Sequence, residues 1–250
     1  MTTENVVRCF SDFIFFFVPR CSDFNPAGTT THYSSTLKKV IAYPEERMLD
    51  VQGFILVGGA SSRMGSDKAQ LKFDGQSGVE LIAAALQPNV GAVRLVGSRD
   101  EARLSLLQNV PDLHERWGAL GGIHAALYAC QSAWAAIVAC DLPLVTAELF
   151  TRLRQFAKEP FDAVVPAQPD GRQQPLCAFY RRESCLAAAE RLIASDEHTP
   201  RALLAGVQTR WVEFSELADL PNAEHLFLNV NTPADYERAN SILALQNRER

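Results

Sequence analysis

From Val51 to the carboxyl end, short apolar runs alternate with stretches of helical periodicity, and this alternation constrains the fold more than any other feature of the chain. The runs VQGFILV (51–57), AVRLV (92–96), AAIVAC (135–140), DAVVP (162–166), LCAFY (176–180), RWVEF (210–214) and LFLNV (226–230) have the length of strands. Several are apolar throughout, as expected where both faces of a strand are covered. Segments 78–87, 100–108, 121–131, 146–157, 183–193, 199–205 and 233–245 carry the helical period between them. The pattern predicts an α/β fold with an open, mainly parallel sheet and helices on both faces. Thr232, Pro233 and Asp235 form a start signal for the last helix: a cap, a first-turn proline and a carboxylate three residues after the cap. Pro169, Asp170 and Gly171 predict a turn, as in a hairpin between 162–166 and 176–180.

A chain of 250 residues, 47% of them hydrophobic, can bury one large core. No repeat and no second domain boundary is evident after Met48. The net charge of −5 argues against a surface built to grip nucleic acid or an anionic membrane. The six cysteines form no C-x-x-C pair, so neither a zinc cluster nor a disulfide framework is indicated, and a reducing cytosol is the expected setting. Residues 1–47 read differently. CFSDFIFFFVPRC is the one dense aromatic run, but it is short, carries Asp12 and lacks a small-residue cleavage pattern. The loop-like NPAGTTTHYSST follows it. The expectation is a poorly ordered extension over 1–47, reflecting a start assigned upstream of Met48, and a folded domain over 48–250.

In open α/β sheets ligands bind beyond the carboxyl ends of the strands, so the residues just after each strand carry the functional signal. After Val57, Gly58 and Gly59 let the backbone turn sharply and admit a ligand without a Cβ in the way. Successive N–H groups in such a turn favour an anion, and Arg63 and Lys68 add positive charge, so a phosphate-bearing ligand suits the loop. The spacing matches neither G-x-x-x-x-G-K-[ST] nor G-x-G-x-x-G, and a glycine turn with solvated charges is the plainer reading. The run AAIVACDLPLV ends at Asp141, a carboxylate placed where the first loop should also lie. Mg²⁺ is commonly held by one or two carboxylates plus substrate phosphates; alternatively Asp141 caps the turn before Pro143. In LFLNVNTPADY, Asn229 and Asn231 alternate with Val230, so both amides face one side if the run is a strand; turn formation is equally open.

These three pieces in this order, LVGGASSRMGSDKAQL, ACDLPLV and NVNTPAD, resemble the molybdenum cofactor guanylyltransferase family. The resemblance runs from about Val51 to about Ala239. It implies a single Rossmann-like nucleotidyltransferase domain, Mg²⁺, and transfer of GMP from GTP to molybdenum-loaded molybdopterin with release of pyrophosphate. By motif, Leu56, Val57, Gly58 and Gly59 would meet the nucleotide through backbone, with Arg63 and Lys68 on its phosphates. Asp141 matches the family's metal-binding aspartate. Asp112, in NVPDLHERWGALGGIHAAL, resembles the nucleotide-binding aspartate, and Leu120 to Gly122 would form the loop near the base. Gln174, Asn229 and Asn231 would receive the pterin. Arg63, Lys68 and Asp141 are then the catalytic set. The chain differs from the family's pattern in three places: Val57 stands where alanine is usual, Val96–Ser98 where asparagines occur, and the segment from Asp112 to Gly118 is about one residue shorter.

A terminal phosphate acting as nucleophile is already ionised at neutral pH and needs no general base, which suits motifs rich in Gly, Arg, Lys and Asp and poor in His. His124 lies in an apolar helix and reads as a packed residue; His32, His114, His198 and His225 receive no role. Three other functions share these motifs in part: cytidylyl transfer to the same pterin, nucleotidyl transfer to a sugar or polyol phosphate, and binding without catalysis. The implied partners are GTP, molybdenum-molybdopterin and the proteins that deliver and collect the cofactor.

Overall fold

In the computed structural model the described residues are 50–57, 71–97, 107–114 and 117–248. The extension 1–47 lies outside them, as do Gly58, Gly59, Arg63 and Lys68.

The first apolar run forms β1 (Val51–Leu56), an interior strand of a seven-stranded sheet. It is flanked in parallel by β4 (Val93–Val96) and β6 (Trp134–Ala139), and β4 pairs in parallel with β5 (Gln108–Val110) at the edge. Beyond β6 come β8 (Cys177–Arg181), β7 (Ala163–Pro166) and β9 (Thr209–Val212), giving the order β5-β4-β1-β6-β8-β7-β9. Only β8 runs against its neighbours, because the turn at Pro169–Gly171 joins β7 and β8 as a hairpin. Gly171 there adopts a φ of 77°.

Side chains of β1 explain its mostly apolar run. Ile55 joins one core with Val79, Ile82 and Leu86 of α1 (Gly78–Leu86) and Leu149, Phe150 and Leu153 of α3 (Ala147–Phe156). Phe54 and Leu56 join the opposite core with Leu120, Ile123 and Leu127 of α2 (Gly118–Ala129), Cys185 and Ala188 of α4 (Arg182–Ala194) and Leu203 of α5 (Pro200–Ala205). Alternate residues thus feed two helical layers, and each fully buried Phe, Ile or Leu contributes roughly 1.5–3 kcal/mol. A third, smaller core forms where α6 (Pro233–Arg248) meets Phe73, Leu144 and Val230.

Three elements depart from expectation. The run 226–230 is no strand: it follows a 3-10 turn at Ala223–His225, and Leu228 bonds back to His225. Leu226, Phe227 and Val230 are buried by packing rather than by pairing, so an apolar run of strand length does not fix strand pairing here. The helix expected over 100–108 lies mostly outside the described residues, and its last residue, Gln108, opens β5. A two-stranded hairpin, β2 (Lys72–Phe73) and β3 (Gln76–Ser77), precedes α1. Asp74 and Gly75 turn it with φ of 48° and 86°, a pairing of positive angles that Asp-Gly serves well. Ser77 and Glu80 then close a reciprocal cap on α1, at 3.2 Å and 2.7 Å.

Candidate active site

Register aligns the strand ends at one rim: Leu56 is paired with both Val96 and Ala139, and Val96 with Val110. Asp141 stands two residues past β6 and Asp112 two residues past β5. They are three strand spacings apart, about 14 Å along the rim. Val57 and Gly97 end the strands between them.

Asp141 is partly exposed in the turn after β6. Its carbonyl accepts the Val230 N–H at 2.8 Å, so the backbone between Asn229 and Asn231 is tied directly to the residue carrying the carboxylate. Asn229 is half-buried, Val230 is buried and Asn231 is exposed. The backbone carrying the Asn pair is therefore brought to the rim by this long-range bond and not by strand alternation.

On the far side of Asp141, antiparallel β8 begins beside the end of β6, with Ala139 N–H donating to the Leu176 carbonyl at 2.8 Å. Gln174 sits in the turn before it, 7% exposed, and is held there by backbone bonds to Pro166 at 2.9 Å and Cys177 at 3.0 Å. The rim thus reads Asp112, Gly97, Val57, Asp141 and the Asn pair, then Gln174.

The pair Leu56 and Val57 is more committed to the sheet than a ligand-binding loop would be. The Leu56 carbonyl accepts from Cys140 at 3.0 Å, and the Val57 N–H donates to Val96 at 2.9 Å. The Leu56 side chain is buried against Gly122, where a Cβ would stand 3.2 Å from Leu56 Cδ1.

Leu120 and Gly122 correct an expectation. They do not form a loop, because the helix starts at Gly118, and Leu120 is fully buried in the core. The first intrahelical bond of α2 is Gly121 N–H to the Trp117 carbonyl, at 3.3 Å. The N–H groups of the first turn precede that ladder and point out of the helix start, at the carboxyl rim beside β1. A buried side chain here serves packing, and what α2 can offer a ligand is backbone.

The segment between Asp112 and α2 is framed by rings. Trp117 stacks on His198 at 3.9 Å and 17°, and His114 lies 5.8 Å from Trp117 and 5.1 Å from His124. His124 is buried, as the apolar helix implied, and burial first, then the nearby His114, holds its pKa below the usual histidine range. Tyr128 and Leu113 are exposed and line a groove of about 810 Å³ with Arg182 and Leu186, beside α2 and away from Asp141.

Among the described residues no three His, Cys, Asp or Glu side chains gather into a metal cage. A single oxygen donor at Asp141, next to where phosphates would lie, is instead the donor chemistry of a hard cation shared with substrate. No described helix is long and apolar enough to cross a membrane. Cys130, Cys177 and Cys185 are free thiols, and burial pushes Cys185 up to about 12.

Comparison with known proteins decides the family. The model of the MobA-like NTP transferase domain matches residues 53–212, from within β1 to the end of β9.

The chain belongs to the MobA-like NTP transferase family.

It is 35% identical over 193 residues to a probable molybdenum cofactor guanylyltransferase of Pelotomaculum thermopropionicum, covering 77% of this chain and 93% of that protein. The crystal structure of molybdopterin-guanine dinucleotide biosynthesis protein A from Archaeoglobus fulgidus superimposes with a TM-score of 0.66 at 26% identity, over 77% of this chain and 98% of that one. A 4-diphosphocytidyl-2C-methyl-D-erythritol synthase from Anaerococcus prevotii shares the fold, with a TM-score of 0.59 at 14% identity, over 79% of this chain and 99% of that one. The MobA-like chain is a nucleotidyltransferase on an α/β sheet. Its candidate site is the carboxyl rim of that sheet.

Proposed function

We propose that this chain transfers GMP from GTP to molybdenum-loaded molybdopterin, giving the guanine dinucleotide form of the cofactor and pyrophosphate. The reading is supported by membership of this family, together with the Val230 N–H bond to the Asp141 carbonyl, which links the Asn segment to the turn that carries Asp141. The rim then has a nucleotide side at β5, β4 and β1 and a pterin side at β6 and β8. Residues 48–250 are the catalytic unit, working in the cytosol.

The chemistry follows from charge. A terminal phosphate oxygen of the pterin forms a bond to the α-phosphorus of GTP as the α–β bridging P–O bond breaks, and the electron pair leaves on pyrophosphate. The site must hold two anions together in line and stabilise the charge that builds on the leaving group. Lys68 neutralises the developing charge, Arg63 holds the departing pyrophosphate, and the Gly58–Gly59 turn supplies N–H donors. Asp112 and the start of α2 hold the nucleoside, while Gln174, Asn229 and Asn231 orient the pterin. Asp141 would hold Mg²⁺, which when bound supplies charge neutralisation at the phosphates.

Mass analysis of the product tests this reading. With GTP, Mg²⁺ and molybdenum-loaded molybdopterin, the pterin should gain one GMP; recovery of unmodified pterin with active relatives run in parallel would refute it. Cytidylyl transfer to the same pterin would use the same phosphate residues and differ only around the base. Transfer to a sugar or polyol phosphate would share the fold and not the pterin.

A further inference from the structure

We propose that Tyr236 is a positioning residue that fixes the spacing between the β2–β3 hairpin and the Asn loop on the pterin side of the rim. The inference rests on the transfer proposed above and adds a residue that touches neither substrate.

The first turn of α6 grips the Asn loop. The Asp235 carboxylate accepts from Thr232 N–H and Thr232 Oγ1, both at 2.8 Å, and from Asn231 N–H at 3.1 Å, while Thr232 Oγ1 accepts Asp235 N–H at 3.2 Å. One residue on, the Tyr236 hydroxyl donates to the Lys72 carbonyl, 164 positions away in the chain. The same ring packs on Phe73, with centroids 5.2 Å apart at 56°.

Phe73 is itself locked. It is 2% exposed and joins Leu144, Val230 and Ala239 in the third core. It also lies over Gly78, where a Cβ would come within 3.3 Å of the ring and 3.6 Å of the Cys140 carbonyl. This one small core therefore touches the hairpin that follows Lys68 by four residues, the segment after Asp141, and the residue between the two Asn side chains.

Apolar contact alone does not fix register, since it is nearly non-directional. The Tyr236 hydroxyl bond is directional and reaches a backbone carbonyl, so it sets how far the hairpin stands from the Asn loop. For an in-line transfer between two bound anions, a displacement of about 1 Å costs up to about 100-fold in rate. Tyr236→Phe keeps the ring and its burial and removes only the directional bond.

The test uses the full chain. In pyrophosphate release from GTP and molybdenum-loaded molybdopterin, Tyr236→Phe should lower kcat about tenfold with KM for each substrate within about twofold of wild type, a fraction of the largest positioning effects. Without substrate, amide hydrogen exchange should accelerate both over 71–78 and over 229–232. Unchanged kcat, or faster exchange confined to α6 with a lower Tm, would reduce Tyr236 to a packing residue. Should wild type release no pyrophosphate, the transfer reading fails, and exchange alone decides the tie: acceleration in both segments upholds it and acceleration in one overturns it.

Discussion

Replacement of Asp141 by alanine should remove turnover. The main-chain carbonyl of residue 141, which accepts Val230 N–H at 2.8 Å, survives the substitution, and so does the position of the Asn pair. What is lost is the carboxylate at the end of β6. If that group holds the cation that neutralises the phosphates, its removal should cost on the order of 3–4 kcal/mol of transition-state stabilisation or more, a fall in kcat of at least about 10²–10³-fold. Asp141→Asn should recover only part of it, because a neutral amide oxygen is a poorer ligand for a hard cation. A residue that merely caps the turn before Pro143 makes the opposite prediction: lower thermal stability with kcat near normal. Steady-state kinetics and thermal unfolding on the same preparation separate the two.

Lys68→Ala carries the second large effect. Charge builds on the leaving pyrophosphate only as the P–O bond breaks, so a cation placed there acts mainly in the transition state. The expected loss is about 10²–10³-fold in kcat, or roughly 2.7–4 kcal/mol, with a smaller change in KM for GTP. Lys68→Arg keeps the charge on a planar, more extended group and should recover only part of the rate. A rise in KM with kcat unchanged would mean that Lys68 binds nucleotide equally in ground and transition states, and would contradict its assignment.

The fold was largely legible because its central strands obey simple rules. In β1, Phe54 and Ile55 point to opposite cores, and a mostly apolar run with neighbouring residues both buried is what a doubly covered strand requires. The start of α6 was equally legible, since Thr232 and Asp235 cap it through local bonds. Local rules failed where packing takes over. Leu226 and Phe227 look like a strand but sit in a core without pairing, while β5, three residues at the sheet edge with Gln and Asn in it, carries no hydrophobic period. The β2–β3 hairpin did have a signal, Asp74-Gly75 followed by the Ser77…Glu80 cap, but its strands are too short to show alternation.

The placement of the candidate residues was legible as a set of strand ends. Asp112, Asp141 and Gln174 all follow or precede strands at the carboxyl rim, which the topology of such sheets demands. Leu120 and Gly122 were harder, because Gly-rich sequence suggests a loop, whereas Gly122 is a glycine chosen for close packing on Leu56. The link from Asn229–Asn231 to Asp141, and from Tyr236 to Lys72, joins residues far apart in the chain, and no local pattern announces such a contact.

The most direct measurement is pyrophosphate release by the purified protein with Mg²⁺ and molybdenum-loaded molybdopterin, offered GTP, CTP, ATP and UTP separately. Guanylyl transfer predicts release with GTP alone and dependence on the pterin. Release with CTP alone, or silence with all four nucleotides, would contradict it.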